Sequence, residues 1–140
     1  MAVDTVNVFE HTIEITHTWL HDLMDRLGWH DKHRAYLALR AVLHALRDRI
    51  SVEDASHLAA QLPMLVRGFY YEGYHPAGKP VADRKKSEFL ARVASECSEE
   101  SRNDGHVTRA VLHVLSKHIT PGEIEKVKGA LPADIRALWN

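Results

Sequence analysis

The chain has 140 residues, 45% hydrophobic and 26% charged, which is the size and balance of one globular domain. Eighteen basic residues against nineteen acidic ones leave a formal charge of −1, which excludes a strong field that would recruit nucleic acid or anionic lipid. The single cysteine, Cys97, excludes an internal disulfide, and no apolar run approaches the roughly 18 residues needed to span a bilayer.

The first helix is expected over about Val6 to Leu27, where Phe9, Ile13, Leu20, Met24 and Leu27 recur at helical spacing and Gly28 stops the run. A second follows over about Asp31 to Arg49, with Tyr36, Leu39, Leu43, Leu46 and Ile50 on one face. Ser51 then reads as an N-cap with Asp54 in the position of a capping acid. Pro63 breaks the third helix near Leu62, because proline removes a backbone donor and crowds the preceding turn. A short fourth helix is expected over about Met64 to Tyr71.

Glycines and prolines between Gly73 and Pro80 mark a linker, taken as 73–82. Beyond it the pattern returns. Arg40-Ala41-Val42-Leu43-His44-Ala45-Leu46 reappears as Arg109-Ala110-Val111-Leu112-His113-Val114-Leu115, 69 residues on (40 to 109). In the same register Leu62-Pro63 meets Leu131-Pro132, Arg67 meets Arg136, and Tyr70 meets Trp139. An ungapped match of this length reads as duplication of a helical unit. The second unit is expected to hold a helix near Asp83–Cys97, with Phe89 and Val93 in the places of Phe9 and Ile13. A loop at Ser98–Asp104 and the core helix Val107–His118 follow. Thr120-Pro121-Gly122-Glu123 promises a stronger cap than Ser51, and a short helix over about Ala133–Trp139 closes the chain.

No strand-like alternation persists. The expected fold is all-α: a helical bundle of two tandem, pseudo-symmetric repeats, about 6–72 and 83–139, sharing one core in a single domain 1–140. The longer opening helix of the first unit makes the symmetry approximate, so a binding surface need use only one half.

Three groups of residues bear on function. Arg67, Phe69, Tyr70, Tyr71 and Tyr74, with Trp139 as the second-unit counterpart, have the aromatic and arginine composition of interface anchors. They point to a protein partner or a homodimer. On the first helix, Glu14, His17 and His21 step by three and four, so they share a face that could hold zinc or iron, with His57 as a further ligand. The alternative function is therefore a divalent-metal-binding bundle; the first reading needs no cofactor. His30 and His33 offer a weaker metal pair. The repeated arginines are expected to brace Asp54 and Glu123 through charge-assisted hydrogen bonds, and His44 and His113 to bond across the bundle.

No nucleophile sits in a catalytic motif, so an enzyme is disfavoured. The segments after Pro63 and Pro132 are too apolar to read bases, so nucleic acid is not an expected partner, and neither is a membrane. The acidic neighbours of Cys97 argue against a reactive thiolate, and a lone cysteine without a leader suits the cytoplasm.

Several blocks together are more specific than their periodicity. Trp19-Leu20-x-x-Leu23-Met24-x-x-Leu27-Gly28-Trp29, the stretch His33 to Arg49, Gln61-Leu62-Pro63 through Tyr71-Glu72-Gly73, Gly122-Glu123-Ile124-Glu125 and Leu131-Pro132 resemble the family catalogued as domain of unknown function 2267. The likeness spans about Phe9 to Trp139. It implies a small, soluble, helical bacterial domain with no assigned activity, catalytic residues or cofactor. His17 and His21 lie outside the shared pattern. The function that follows is a non-catalytic helical interaction or scaffold module.

Overall fold

The computed structural model describes residues 6–97 and 105–139; the loop expected at Ser98–Asp104 lies outside them. The described residues form eight α-helices and their connections: α1 (Asn7–Leu27), α2 (Lys32–Asp48), α3 (Val52–Ala60), α4 (Met64–Tyr71), α5 (Lys86–Ala94), α6 (His106–His118), α7 (Pro121–Ala130) and α8 (Ala133–Arg136). A 3-10 turn, Ala137–Trp139, continues α8. Among the described residues there is no strand, and the fold is an all-α bundle. Nor is any described helix long and apolar enough to cross a membrane.

Helix α2 is the centre. Every residue from Ala41 to Arg47 is buried, and Ala35, Ala38, Ala41 and Ala45 let neighbouring backbones approach closely. A helix covered on all sides needs this composition, and α1, α3, α4, α5 and α6 all pack on it. Buried side chains from Trp19 through Leu138 form one continuous apolar cluster.

Local signals end and start the helices as their chemistry requires. Gly28 closes α1 in the left-handed conformation, at φ 69°, and returns its N–H to the Met24 carbonyl. Asp31 caps α2 by accepting from the N–H groups of His33 and Arg34. Ser51 accepts from Asp54 N at 3.0 Å, whereas Thr120 accepts from Glu123 N at 3.4 Å, so the cap expected to be stronger is the longer one. Helix α5 starts three residues later than expected from Asp83, with Glu88 reaching back to the N–H of Lys85.

Pro63 and Pro132 occupy the N-cap positions of α4 and α8, each with extended backbone. The arginine one turn further on does not brace an acidic residue as expected. Arg67 donates to the carbonyls of Ala59 and Leu62, and Arg136 to those of Lys128 and Leu131. The acceptors are again 69 residues apart (59 to 128, 62 to 131). Helix C-terminal carbonyls lack intrahelical partners, and a guanidinium forking over two of them meets that need better than a single carboxylate contact.

The packing is interleaved. Helix α1 lies against α6, and α5 lies against α2. Helices α3 and α7 meet face to face, and there His57 touches Lys126, a pair itself 69 residues apart. Burial also corrects one alignment. Phe89 and Val93 are buried, while Phe9 and Ile13 are exposed. Phe89, Leu90 and Val93 instead share their spacing and burial with Trp19, Leu20 and Leu23.

Candidate docking face

Among the described residues, the opening half of α1 leaves its apolar side uncovered. Phe9 and Ile13 are 55% and 48% exposed, and across from them Met64 and Leu65 at the start of α4 are 47% and 44% exposed. Between these helices runs a groove of about 810 Å³. That volume falls within the range of sites that take a ligand or a partner's side chains. Leu20, Tyr36 and Phe69 form part of its lining, Tyr36 meeting the Phe69 ring edge-on at 5.2 Å between centroids.

Two contacts set the geometry. Proline at the N-cap of α4 has no side-chain oxygen, so the first donors of that helix need a partner from elsewhere. Thr12 of α1 supplies it, its hydroxyl accepting from Leu65 N at 2.9 Å. Gly68 then leaves bare backbone in the groove wall, with nothing beyond its chain neighbours and its own helix backbone within 4 Å of where a side-chain carbon would stand.

Beneath the groove, α4 is pinned to α2 and α5. His44 of α2 is buried; its Nδ1 lies 2.9 and 3.0 Å from the two Glu96 oxygens and its Nε2 2.7 Å from the Phe69 carbonyl. Carbonyl and carboxylate oxygens only accept, so the arrangement is satisfied in full when both ring nitrogens carry protons. Arg40 and Arg92 also bind Glu96, and Arg40 reaches Glu72. Arg47, 3% exposed, donates to the carbonyls of Tyr70 and Glu72 at 2.6 and 2.7 Å. His113, expected to act like His44, is instead exposed to solvent.

Burial pushes the Glu96 carboxyl up, but hydrogen bonds and charge from His44 and Arg92 prevail and hold it below the ordinary range. At Asp22 burial acts the same way, and bonds from His118 and Lys117 outweigh it. A carboxylate depressed in the folded state stabilises fully above its unfolded value, about 4.3 for glutamate, and that contribution is lost as pH falls through the folded value. Urea midpoints should therefore hold steady down to about pH 5 and fall below it. Glu96→Gln should flatten the acid limb; an unchanged limb in that variant counts against the assignment.

The residues expected to bind a partner are placed unevenly. Phe69 lines the groove. Tyr70 is fully buried, donating its hydroxyl to the Ala55 carbonyl at 2.8 Å, and burial pushes its pKa up. Tyr71 and Tyr74 are half-buried against the core, with rings 5.6 Å apart. Trp139 is half-buried at the far end, donating to the Ser116 hydroxyl at 3.0 Å. Arg67 caps helix α3 as described. The sequence reading missed the uncovered quartet of Phe9, Ile13, Met64 and Leu65; the signal for the first two was an apolar stripe continuing to the start of α1.

The metal-ligand set is not assembled. His17 and His21 lie with ring centroids 6.5 Å apart on α1, while His57 sits on α3 against Lys126. Among the described residues no group of three or more His, Cys, Asp or Glu side chains is placed to hold a metal ion.

No curated protein matches the chain. Residues 16–138, a span starting later than the resemblance suggested, match the family described as uncharacterized conserved protein (DUF2267), and to that family the chain belongs.

Proposed function

We propose that the protein is a non-catalytic interaction module: a duplicated helical scaffold carrying a protein-docking face between α1 and α4. The observation that carries this reading is the uncovered apolar quartet around the groove. Scattered apolar residues on a surface need no explanation, but a contiguous patch beside a cleft marks an interaction site. Duplication of the scaffold is supported by the matching arginine bonds, the paired proline starts and the contact of His57 with Lys126. On that view α5 is the counterpart of α1 from about Thr16 onward, and the groove belongs to the residues of α1 before it. Phe9, Thr12 and Ile13 also precede the span that matches the family.

A photo-cross-linking amino acid at position 65, introduced into the full chain in cells, should yield discrete protein adducts. The same group at exposed position 113 should not. Ile13→Asp should abolish the adduct at 65 without altering the thermal melt. Equal labelling at both positions, or none at either, would overturn the docking face.

A further inference from the structure

Resting on that reading for what the groove is used for, we infer that a proton on His44 latches the α4 wall of the groove to the centre of the bundle. Docking is then competent while the ring carries both protons and weakens when it gives one up. The warrant is geometric. The ring is 2% exposed, with both Glu96 oxygens against Nδ1 and the Phe69 carbonyl against Nε2. A neutral imidazole has one N–H and one bare lone pair. Whichever nitrogen is left bare, its lone pair faces an oxygen no more than 3.0 Å away, in a buried place where a bond left unmade is costly.

The surroundings decide which bond gives way. A carboxylate is the stronger acceptor, so a ring with one proton keeps it on Nδ1, towards Glu96. Arg40 and Arg92 fix that carboxylate from its other sides. The bare nitrogen then confronts the Phe69 carbonyl at 2.7 Å, and α4 is the element pushed away. Phe69 lines the groove and meets Tyr36, another wall residue, edge-on, so the displacement reaches the docking face. Among the described residues, the ion pairs around this cluster involve Arg40, Arg47 and Asp48 of α2, Arg92 of α5 and Glu72 after α4; helices α1, α3 and α6 add none to it. Arginine and carboxylate side chains ordinarily titrate outside about pH 5–8, so the histidine is the member of the set that changes charge in that window. A histidine in an unfolded chain exchanges its proton near about 6.5, so the latch contributes in full below that value and is lost as pH rises above it. It acts on the opposite side of neutrality from the acid limb set by Glu96.

Long-range proton–nitrogen correlation spectra of the intact, nitrogen-labelled chain between about pH 5.5 and 9 read the ring directly. Two protonated nitrogens are expected at the acid end. With rising pH, Nε2 should become the bare one, and the amide signals of Gly68 to Tyr71 should move with the same midpoint. His17 and His33 also line the groove but are exposed, and His17→Gln with His33→Gln should leave that midpoint in place. Glu96→Gln should bring it down by about one pH unit or more, since an opposite charge beside the ring is removed. A ring with one bare nitrogen at every pH, a ring that keeps both protons to the alkaline end, or α4 signals that follow His17 or His33 would each overturn the latch. Cross-linking from position 65, repeated in lysate buffered at about pH 6 and about pH 8, separates the two readings; the yield should be several-fold higher at the lower pH. Equal yields would retain the docking face and sink the latch, whereas adducts at neither pH would sink both.

Discussion

Replacing His44 by alanine should lower the unfolding free energy by about 2–4 kcal/mol, the loss of a hydrogen bond to a carboxylate together with a buried carbonyl left without its donor. The ring is 2% exposed and bridges three elements: α2 carries it, Glu96 follows α5, and the Phe69 carbonyl belongs to α4. Its loss leaves the carbonyl without this donor and gives Glu96 only the two arginines to offset its burial. A urea series on the variant measures the change directly. A loss under about 1 kcal/mol would mean that the network contributes no more than an ordinary surface pair. Because Phe69 also lines the groove, the variant should loosen the docking face, visible as faster amide exchange in α4 before global unfolding.

Arg47→Met should be the other large effect, about 2–4 kcal/mol, since two charge-assisted hydrogen bonds to carbonyls vanish while the apolar stem is kept. The guanidinium holds the Tyr70 and Glu72 carbonyls and packs 5.4 Å from the centre of the Tyr74 ring. Methionine fills the space but donates nothing, so the end of α4 is left with buried acceptors. Arg47→Lys refines the point: both bonds leave from the single nitrogen Nη1, so an ammonium brought to that place should recover part of the loss. Equal stability of wild type and Arg47→Met, by the same urea series, would show that water takes over those carbonyls.

What the sequence made legible is what depends on neighbours along the chain. The caps at Ser51 and Thr120, the stop at Gly28 and the helix starts after Pro63 and Pro132 all follow from one to four adjacent residues. The repeat register placed Arg67 and Arg136 in equivalent positions, yet their acceptors were misread. A carboxylate is visible in a sequence as a partner, whereas an orphaned helix carbonyl appears only once the helix end has been located. His44 was expected to bond across the bundle and does, but its partner Glu96 is 52 residues away, and nothing local distinguishes it from other glutamates.

The docking face was hidden for a related reason. Phe9, Ile13 and Leu20 fall on one helical stripe, and periodicity alone assigns them one fate. Their fates diverge because neighbouring helices end: Leu20 is covered, and about two to three turns earlier no described residue covers Ile13 or Phe9. The aromatic run from Phe69 to Tyr74 misled in the opposite sense. Its composition suits an interface, but α4 turns Tyr70 wholly inward, and only Phe69 of the run joins the groove wall.

The crossing of helices between the two halves bears on how the molecule comes apart. Because α1 shelters α6 and α5 shelters α2, neither stretch of chain closes its own interior. Pulling one half away strips the other of a wall, so rupture anywhere near the middle propagates to both ends. Such a chain is expected to melt in a single step, and a severed half to regain its shape only in the company of its counterpart.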